Sequence, residues 1–132
     1  GGGSSRRSVR CVEVNEEALA PFLAAQERLA GAGADVDVHM RIASAQEAPE
    51  EAVGGASCVI VDPPRKGLHP RVLAALTADP GPSRLVYVSC GLDSFERDCA
   101  ELLRGGWAVA QAESFQMFPG TDSVETLAVF ER

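Results

Sequence analysis

Short apolar runs alternate with helix-like stretches along most of this chain, and that alternation constrains its fold more than any other feature. Apolar, β-branched runs predict strands at 9–14, 35–42, 57–62, 84–89, 107–115 and 124–131. Helical spacing of apolar residues predicts helices at 16–32, 45–52, 70–78 and 93–103. Strands that alternate with helices indicate an α/β fold with a mostly parallel sheet. Two final strands with no helix between them indicate an antiparallel hairpin at one edge.

The composition fits one domain. With 132 residues and 45% hydrophobic content, the chain can fill a single core. Residues 1–8 are expected to be a flexible segment, because Gly1–Ser5 is linker-like, and 9–132 to be the folded part. No apolar run is long enough to span a bilayer and no signal peptide opens the sequence, so an intracellular protein without a membrane partner is expected.

Charge and cysteine usage narrow the function classes. A formal charge of −7 argues against a nucleic-acid-binding surface on this segment alone, since phosphate binding needs clustered Lys and Arg. The four cysteines, at positions 11, 58, 90 and 99, form no C-x-x-C pair, and no metal site is expected. Two of them lie in apolar runs, where a buried, reduced thiol is the ordinary case.

Polar side chains follow several predicted strands, at the sheet edge where α/β proteins hold their ligands. Glu13 ends the first strand, where an acidic residue can accept hydrogen bonds from ribose hydroxyls; a solvated charge is the alternative. Asp62 ends the third strand, since Pro63 and Pro64 cannot continue a ladder. Arg65 or Lys66 in the same turn could hold a phosphate, although Asp-Pro is also common in ordinary turns.

Cys90 ends the fourth predicted strand just before a helix, a position that favours a thiolate. Neither His39 nor His69 has an evident partnership with it, which leaves addition to an electron-poor ring, such as carbon 6 of a pyrimidine. Glu125 is the candidate base, because it lies in a Phe/Pro/Gly loop beside apolar residues. The alternatives are a buried structural thiol and one more surface Glu among 19 acidic residues.

Three stretches in order resemble the carboxyl-terminal part of the catalytic domain of the S-adenosylmethionine-dependent RNA 5-methyluridine methyltransferases. They are Val-Asp-Pro-Pro-Arg-Lys-Gly-Leu at 61–68, Val-Tyr-Val-Ser-Cys-Gly-Leu at 86–92 with Arg-Asp at 97–98, and Phe-Pro-Gly-Thr-Asp-Ser-Val-Glu-Thr-Leu at 118–127. The resemblance implies a Rossmann-like methyltransferase fold, S-adenosylmethionine as cofactor and a tRNA or rRNA substrate that absent domains would grip.

The resemblance also implies site roles. Cys90 would be the nucleophile, Glu125 the base, Asp62 part of the methyl-donor and uracil pocket and Glu13 a contact to the ribose of the donor. Arg65, as argued above from the Asp62 turn, is the further expected substrate contact. The sequence departs from the family at Gly91, where Asn is usual, and at Ser123, where His is usual. The first strand and its glycine-rich donor loop are expected to be missing. The alternatives are a non-catalytic remnant and a methyltransferase for another substrate, against which Arg65 counts because an aromatic is usual there.

Overall fold

The computed structural model describes residues 6–116, 120 and 124–132. Its elements, in chain order, are β1 (Arg7–Glu13), a 3-10 turn (Glu16–Ala18), α1 (Leu19–Gly31), β2 (Val36–Ile42), α2 (Pro49–Val53), β3 (Cys58–Val61), α3 (Pro70–Thr77), β4 (Arg84–Ser89), α4 (Leu92–Arg104), β5 (Ala108–Gln116) and β6 (Val124–Glu131).

The predicted α/β class is confirmed. Strands β1 and β2 pair in parallel, as do β3 and β4, whereas β6 runs antiparallel to both β4 and β5. The strands form two sheets, β1-β2 and β3-β4-β6-β5. These sheets belong to two compact units, Gly1–Ala48 and Pro49–Arg132.

The first unit holds β1, α1 and β2. Asn15 begins its helical segment by accepting the Glu17 N–H at 3.0 Å through its side chain, as a cap residue should. The Gln26 side chain fastens α1 to β2 by donating to the Val38 carbonyl at 2.8 Å. Every described residue of this unit keeps appreciable solvent exposure, so its apolar surface is only partly removed from water.

The second unit holds a true core. Alternate residues of β4 and β6 are buried and face one another in register: Leu85 opposite Phe130, Tyr87 opposite Ala128 and Ser89 opposite Thr126. Helix α4 covers this face with Ser94, Asp98 and Leu102, which recur every four residues on its buried side. Leu76 of α3 and Trp107 complete the core.

Most predicted elements lie within a few residues of the observed ones, and the differences have local causes. The predicted helix at 45–52 is α2, which begins at Pro49. A residue before proline avoids the helical conformation, and proline itself suits the first helical turn, so the helix starts late. Strand β1 begins at Arg7, within the segment expected to be flexible, because it pairs with Val36 of β2. Residues 1–5 lie outside the described part.

The cysteines are less buried than expected. Cys11 and Cys99 are partly buried, whereas Cys58 and Cys90 are exposed. Cys58 begins β3, which is an edge strand of its sheet. It therefore has a neighbouring strand on one side only and is less buried than a residue of a central strand. Among the described residues, no helix is both long and apolar enough to cross a membrane.

Candidate active site

Three predicted site residues meet at one edge of the four-stranded sheet. Asp62 follows the end of β3 and Cys90 follows the end of β4, and these strands are parallel neighbours with Val61 opposite Tyr87. Strand β6 runs the other way, so its first residues lie at the same edge. This arrangement brings Asp62, Cys90 and Glu125 together, as the sequence predicts for ligand-binding strand ends.

Cys90 and Glu125 lie just beyond the end of one strand pairing. Ser89 and Thr126 form the last pair of the β4–β6 ladder. Cys90 and Glu125 are the next residues beyond that pair on the two strands, so both lie at the same edge of the sheet. Neighbouring strands are roughly 5 Å apart in the hydrogen-bonding direction. A thiol and a carboxylate can therefore act on the same ring.

The turn that presents Cys90 is fixed by hydrogen bonds. The Ser89 hydroxyl accepts the Gly91 N–H at 3.2 Å and donates to the Gly91 carbonyl at 2.9 Å. The same carbonyl accepts the Ser94 hydroxyl at 3.1 Å and the Phe95 N–H at 3.0 Å, the latter within the first turn of α4. Cys90 itself is exposed. Cys90 is therefore solvent-exposed on a turn that hydrogen bonds hold in place at the start of a helix.

Gly91 also lets a second loop approach. A Cβ built on Gly91 would lie 3.0 Å from the Arg65 carbonyl oxygen and 3.0 Å from the Ser94 hydroxyl. Because such contacts are tighter than most side chains accept, glycine here permits the 62–68 loop to pack beside the Cys90 turn. This close packing occurs at the position where the RNA 5-methyluridine methyltransferases usually carry Asn and this chain carries Gly91.

The 62–68 loop brings positive charge to this edge that has no partner among the described residues. In the second unit, Arg84, Arg97 and Arg104 form ion pairs with carboxylates. Arg132 donates to two backbone carbonyls. The cations of this unit that have no partner in the described part of the chain are exposed and close in sequence: Arg65, Lys66 and Arg71. A local cationic segment therefore adjoins Cys90 in a chain of net negative charge.

Glu125 is partly buried near the start of β6, opposite Phe115 of β5. The adjacent Thr126 is buried, and its hydroxyl lies 3.2 Å from that of Ser114. Glu125 therefore belongs to a strand paired on both sides. The expected departure at Ser123 and half of the 118–127 motif lie outside the described residues.

Glu13 belongs to the first unit, at the end of β1. One of its carboxylate oxygens, Oε1, accepts the Asn15 N–H at 3.1 Å, and its backbone carbonyl accepts the Ala43 N–H at 3.0 Å. The turn after β1 thus orients the carboxylate, and its second oxygen accepts no hydrogen bond from the residues that the structure describes. Because Glu13 lies in the other unit, its predicted ribose contact remains a prediction.

A buried carboxylate, for which no role is predicted from the sequence, also lies beside this edge. Asp98 of α4 is fully buried and accepts the Tyr87 hydroxyl at 2.6 Å and the Leu68 N–H at 2.8 Å. Burial raises the pKa of Tyr87 well above its ordinary value, and the bond to Asp98 raises it further, so the hydroxyl stays a donor. The available signal was the four-residue spacing of Ser94, Asp98 and Leu102 on one helix face.

Comparison with solved structures defines the class of fold. The chain superposes on Sp1610 of Streptococcus pneumoniae in complex with S-adenosyl-L-methionine with a TM-score of 0.59, 18% identity and coverage of 95% of this chain and 55% of the other. For an rRNA methylase of Streptococcus thermophilus, the TM-score is 0.56 at 15% identity, covering 95% and 73%. At these identities the likeness concerns the fold alone, and it confirms a Rossmann-like methyltransferase fold.

Sequence comparison is more specific. The chain is 34% identical over 127 residues to an uncharacterized RNA methyltransferase of Protochlamydia amoebophila, covering 94% of this chain and 32% of the relative. It is 45% identical over 82 residues to the 23S rRNA (uracil(1939)-C(5))-methyltransferase RlmD of Alkalilimnicola ehrlichii, covering 61% and 18%. It is 46% identical over 79 residues to RlmD of Pseudomonas fluorescens, covering 58% and 16%. The resemblance to the RNA uracil-5 methyltransferases is confirmed.

The matches also define how much of those relatives the chain represents. It spans about a third of the length of the Protochlamydia relative and less than a fifth of either RlmD protein. No family model matches the chain.

Proposed function

We propose that this chain carries the catalytic segment of an RNA methyltransferase that acts on carbon 5 of uridine, in tRNA or rRNA. The observation that supports the proposal is the end of the β4–β6 ladder at Ser89 and Thr126, which leaves Cys90 and Glu125 on adjacent strands at the ligand edge of the sheet. The names of the RNA uracil-5 methyltransferase relatives support the substrate class.

Cys90 starts the reaction as a nucleophile. Its thiolate forms a bond to carbon 6 of the uracil ring, and the electrons of the carbon 5–carbon 6 double bond move toward carbon 5 and the adjacent carbonyl. Carbon 5 thereby becomes nucleophilic. S-adenosylmethionine, when bound, supplies the methyl group that carbon 5 receives.

Glu125 then completes the reaction as a base. Its carboxylate removes the proton from the methylated carbon 5, the carbon 5–carbon 6 double bond re-forms, and the bond between carbon 6 and the Cys90 sulfur breaks. The thiolate is regenerated. Asp62, at the adjacent strand end, would orient the ring and the methyl donor in the shared pocket.

The described acidic residues fit the cofactor in their chemistry. Ribose hydroxyls need acceptors at the end of a parallel strand, and Glu13 offers a carboxylate oxygen there while the other oxygen is held by Asn15. Asp62 is exposed after β3. Each carboxylate would therefore offer an acceptor within its own unit, Glu13 to a ribose hydroxyl and Asp62 to the methyl donor.

The free cations next to Cys90 would contact the RNA backbone. Arg65 and Lys66 are exposed, have no carboxylate partner in the described residues, and lie in the loop that packs against Gly91. Two such charges would orient one nucleotide without gripping a long RNA, since a large phosphate footprint needs many more. This fits a net negative segment that works with RNA held elsewhere.

Methyl transfer to uridine-containing RNA by the intact protein that carries this sequence tests the proposal. Cys90→Ser should abolish transfer because serine is a far weaker nucleophile at neutral pH. The exposed thiol Cys58 gives the matched control, and Cys58→Ser should keep transfer within about twofold, since it lies at the opposite end of β3 from Asp62. Full activity of Cys90→Ser would refute the thiol mechanism.

A second pair of variants tests the base. Glu125→Gln should lower turnover by about a hundredfold or more, since general-base catalysis typically contributes that much. Protein bound covalently to methylated RNA should accumulate, because proton removal is what releases Cys90. The exposed β5 residue Glu113 provides the control, and Glu113→Gln should change neither quantity. Wild-type turnover in Glu125→Gln would show that another group removes the proton.

A further inference from the structure

We propose that the buried carboxylate of Asp98, together with Arg97, is a positioning device that holds the 62–68 loop against the Cys90 turn. These residues touch no reacting atom; they act through the loop that carries Asp62, Arg65 and Lys66. The inference rests on the proposed function for its catalytic consequence, while its structural part stands on its own. We call the set of Tyr87, Arg97, Asp98, the Lys66 carbonyl and the Leu68 amide the Asp98 clamp.

One carboxylate oxygen joins three segments. Oδ2 of Asp98, on α4, accepts the Tyr87 hydroxyl of β4 at 2.6 Å and the backbone N–H of Leu68 in the loop at 2.8 Å. Asp98 and Tyr87 are both fully buried. In such surroundings, hydrogen bonds to a charged acceptor are strong and poorly exchanged for water. The loop is therefore fastened at its carboxyl end to the strand that carries Cys90.

Arg97 fastens the same loop from outside. Its guanidinium donates to the Lys66 carbonyl, and its Nε lies 4.0 Å from Oδ1 of Asp98. Oδ1 is buried and accepts no hydrogen bond from the described residues. A buried carboxylate oxygen without a donor is costly, and a core position on α4 would hold an apolar side chain without that cost. An aspartate at this position therefore fits a role in holding the loop better than a role in packing the core.

Gly67 shows how closely the loop is held. It has a φ of +87°, and a Cβ there would lie 2.7 Å from Oδ2 of Asp98 and 3.0 Å from Nη2 of Arg97. On the other side, the Arg65 carbonyl lies 3.0 Å from the Cβ position of Gly91. The loop thus lies between the clamp and the Cys90 turn, and loosening the clamp would move Asp62 and Arg65 relative to the thiol.

Two variants with opposite effects on charge test this in the intact protein. Asp98→Asn removes a negative charge and Arg97→Gln removes a positive one. If these residues acted only by attracting or repelling RNA, the two variants would change the KM for RNA in opposite directions. Positioning predicts that both lower kcat for methyl transfer, by about tenfold or more, since small misplacements of reacting groups are costly. Arg104→Gln, on the same helix and paired with Glu101, is the matched control and should keep kcat within about twofold.

A second measurement does not depend on activity. Trypsin cleaves after Arg65 and Lys66, and the clamp should protect these bonds by holding the loop in place. Both clamp variants should release the peptide that begins at Gly67 about fivefold faster or more, while Arg104→Gln should match the wild type. Clamp variants with wild-type cleavage and wild-type kcat would overturn the inference, as would faster cleavage with unchanged kcat.

These readouts separate the two proposals. A wild-type protein that transfers no methyl group to uridine refutes the proposed function, and the tryptic rates still decide whether the clamp holds the loop. Should Asp98→Asn fail to fold, Arg97→Gln decides the matter, because the Arg97 side chain is 63% exposed and its loss leaves the core intact.

Discussion

At the scale of single residues, position in the fold separates cysteines that the sequence presents as similar. Cys90 is exposed after β4, whereas Cys99 is partly buried on α4 and burial raises the pKa of its thiol. A raised thiol pKa leaves less thiolate at a given pH, and thiolate is the reactive form.

Alkylation should report this difference. With iodoacetamide at pH 8, Cys90 and the exposed Cys58 should be labelled several-fold faster than Cys99. The labelling rate of Cys99 should still be rising at pH values where an ordinary thiol, with a pKa of about 8.5, is fully ionised. Quantified tryptic peptides give the rates. Labelling rates of Cys90 and Cys99 that are equal and depend on pH in the same way would contradict the described burial.

At the scale of elements, the sequence predicts those that are determined locally. The bounds of β4 and β6 follow from apolar runs that contain several β-branched residues, and the start of α3 follows from Pro70 at its first position. The sequence also predicts the ligand edge of the sheet, because this prediction requires only the positions where the strands end. The partners of Asp98 could not be predicted, since Tyr87, Leu68 and Asp98 are brought together by packing. An Asp within a helix ordinarily lies exposed.

Two glycines test the fit of the loop against α4. Gly67 and Gly106 both have positive φ, +87° and +98°, but a Cβ would meet Asp98 and Arg97 at Gly67 and nothing within 4 Å at Gly106. Alanine at either position should cost roughly 1–3 kcal/mol in unfolding free energy from backbone strain. Gly67→Ala should cost more, because it also displaces a buried carboxylate. Urea denaturation measures both losses, and equal losses would show that the loop yields without resistance.

At the scale of the whole molecule, the two units differ in how much they bury. The second unit has a core of fully or nearly fully buried residues, including Leu76, Leu85, Tyr87, Leu102 and Phe130. No described residue of the first unit is buried to that degree. The sequence indicates part of this difference, because apolar residues are less segregated to one face in α1 than in α4. Periodicity does not reveal what a helix face packs against.

Hydrogen exchange should show the difference directly. Regions with few buried apolar contacts open at low free energy, whereas core strands open near the global unfolding free energy. Amides of β4 and β6 should therefore exchange at least a hundredfold more slowly than those of β1 and β2 in the 132-residue chain. Mass spectrometry of peptic fragments gives both rates. Equal protection in the two units would contradict the burial pattern and indicate one cooperative body.

The proposed mechanism requires that Cys90 attack carbon 6 of uracil, and RNA that carries 5-fluorouridine shows whether that bond forms. Fluorine at carbon 5 cannot leave as a proton, so Glu125 cannot complete the reaction and the bond between carbon 6 and sulfur should persist. With the intact protein and S-adenosylmethionine, we expect a stable covalent complex whose mapped peptide carries the nucleotide on Cys90. An active enzyme that forms no complex, or one attached at another residue, would contradict the account.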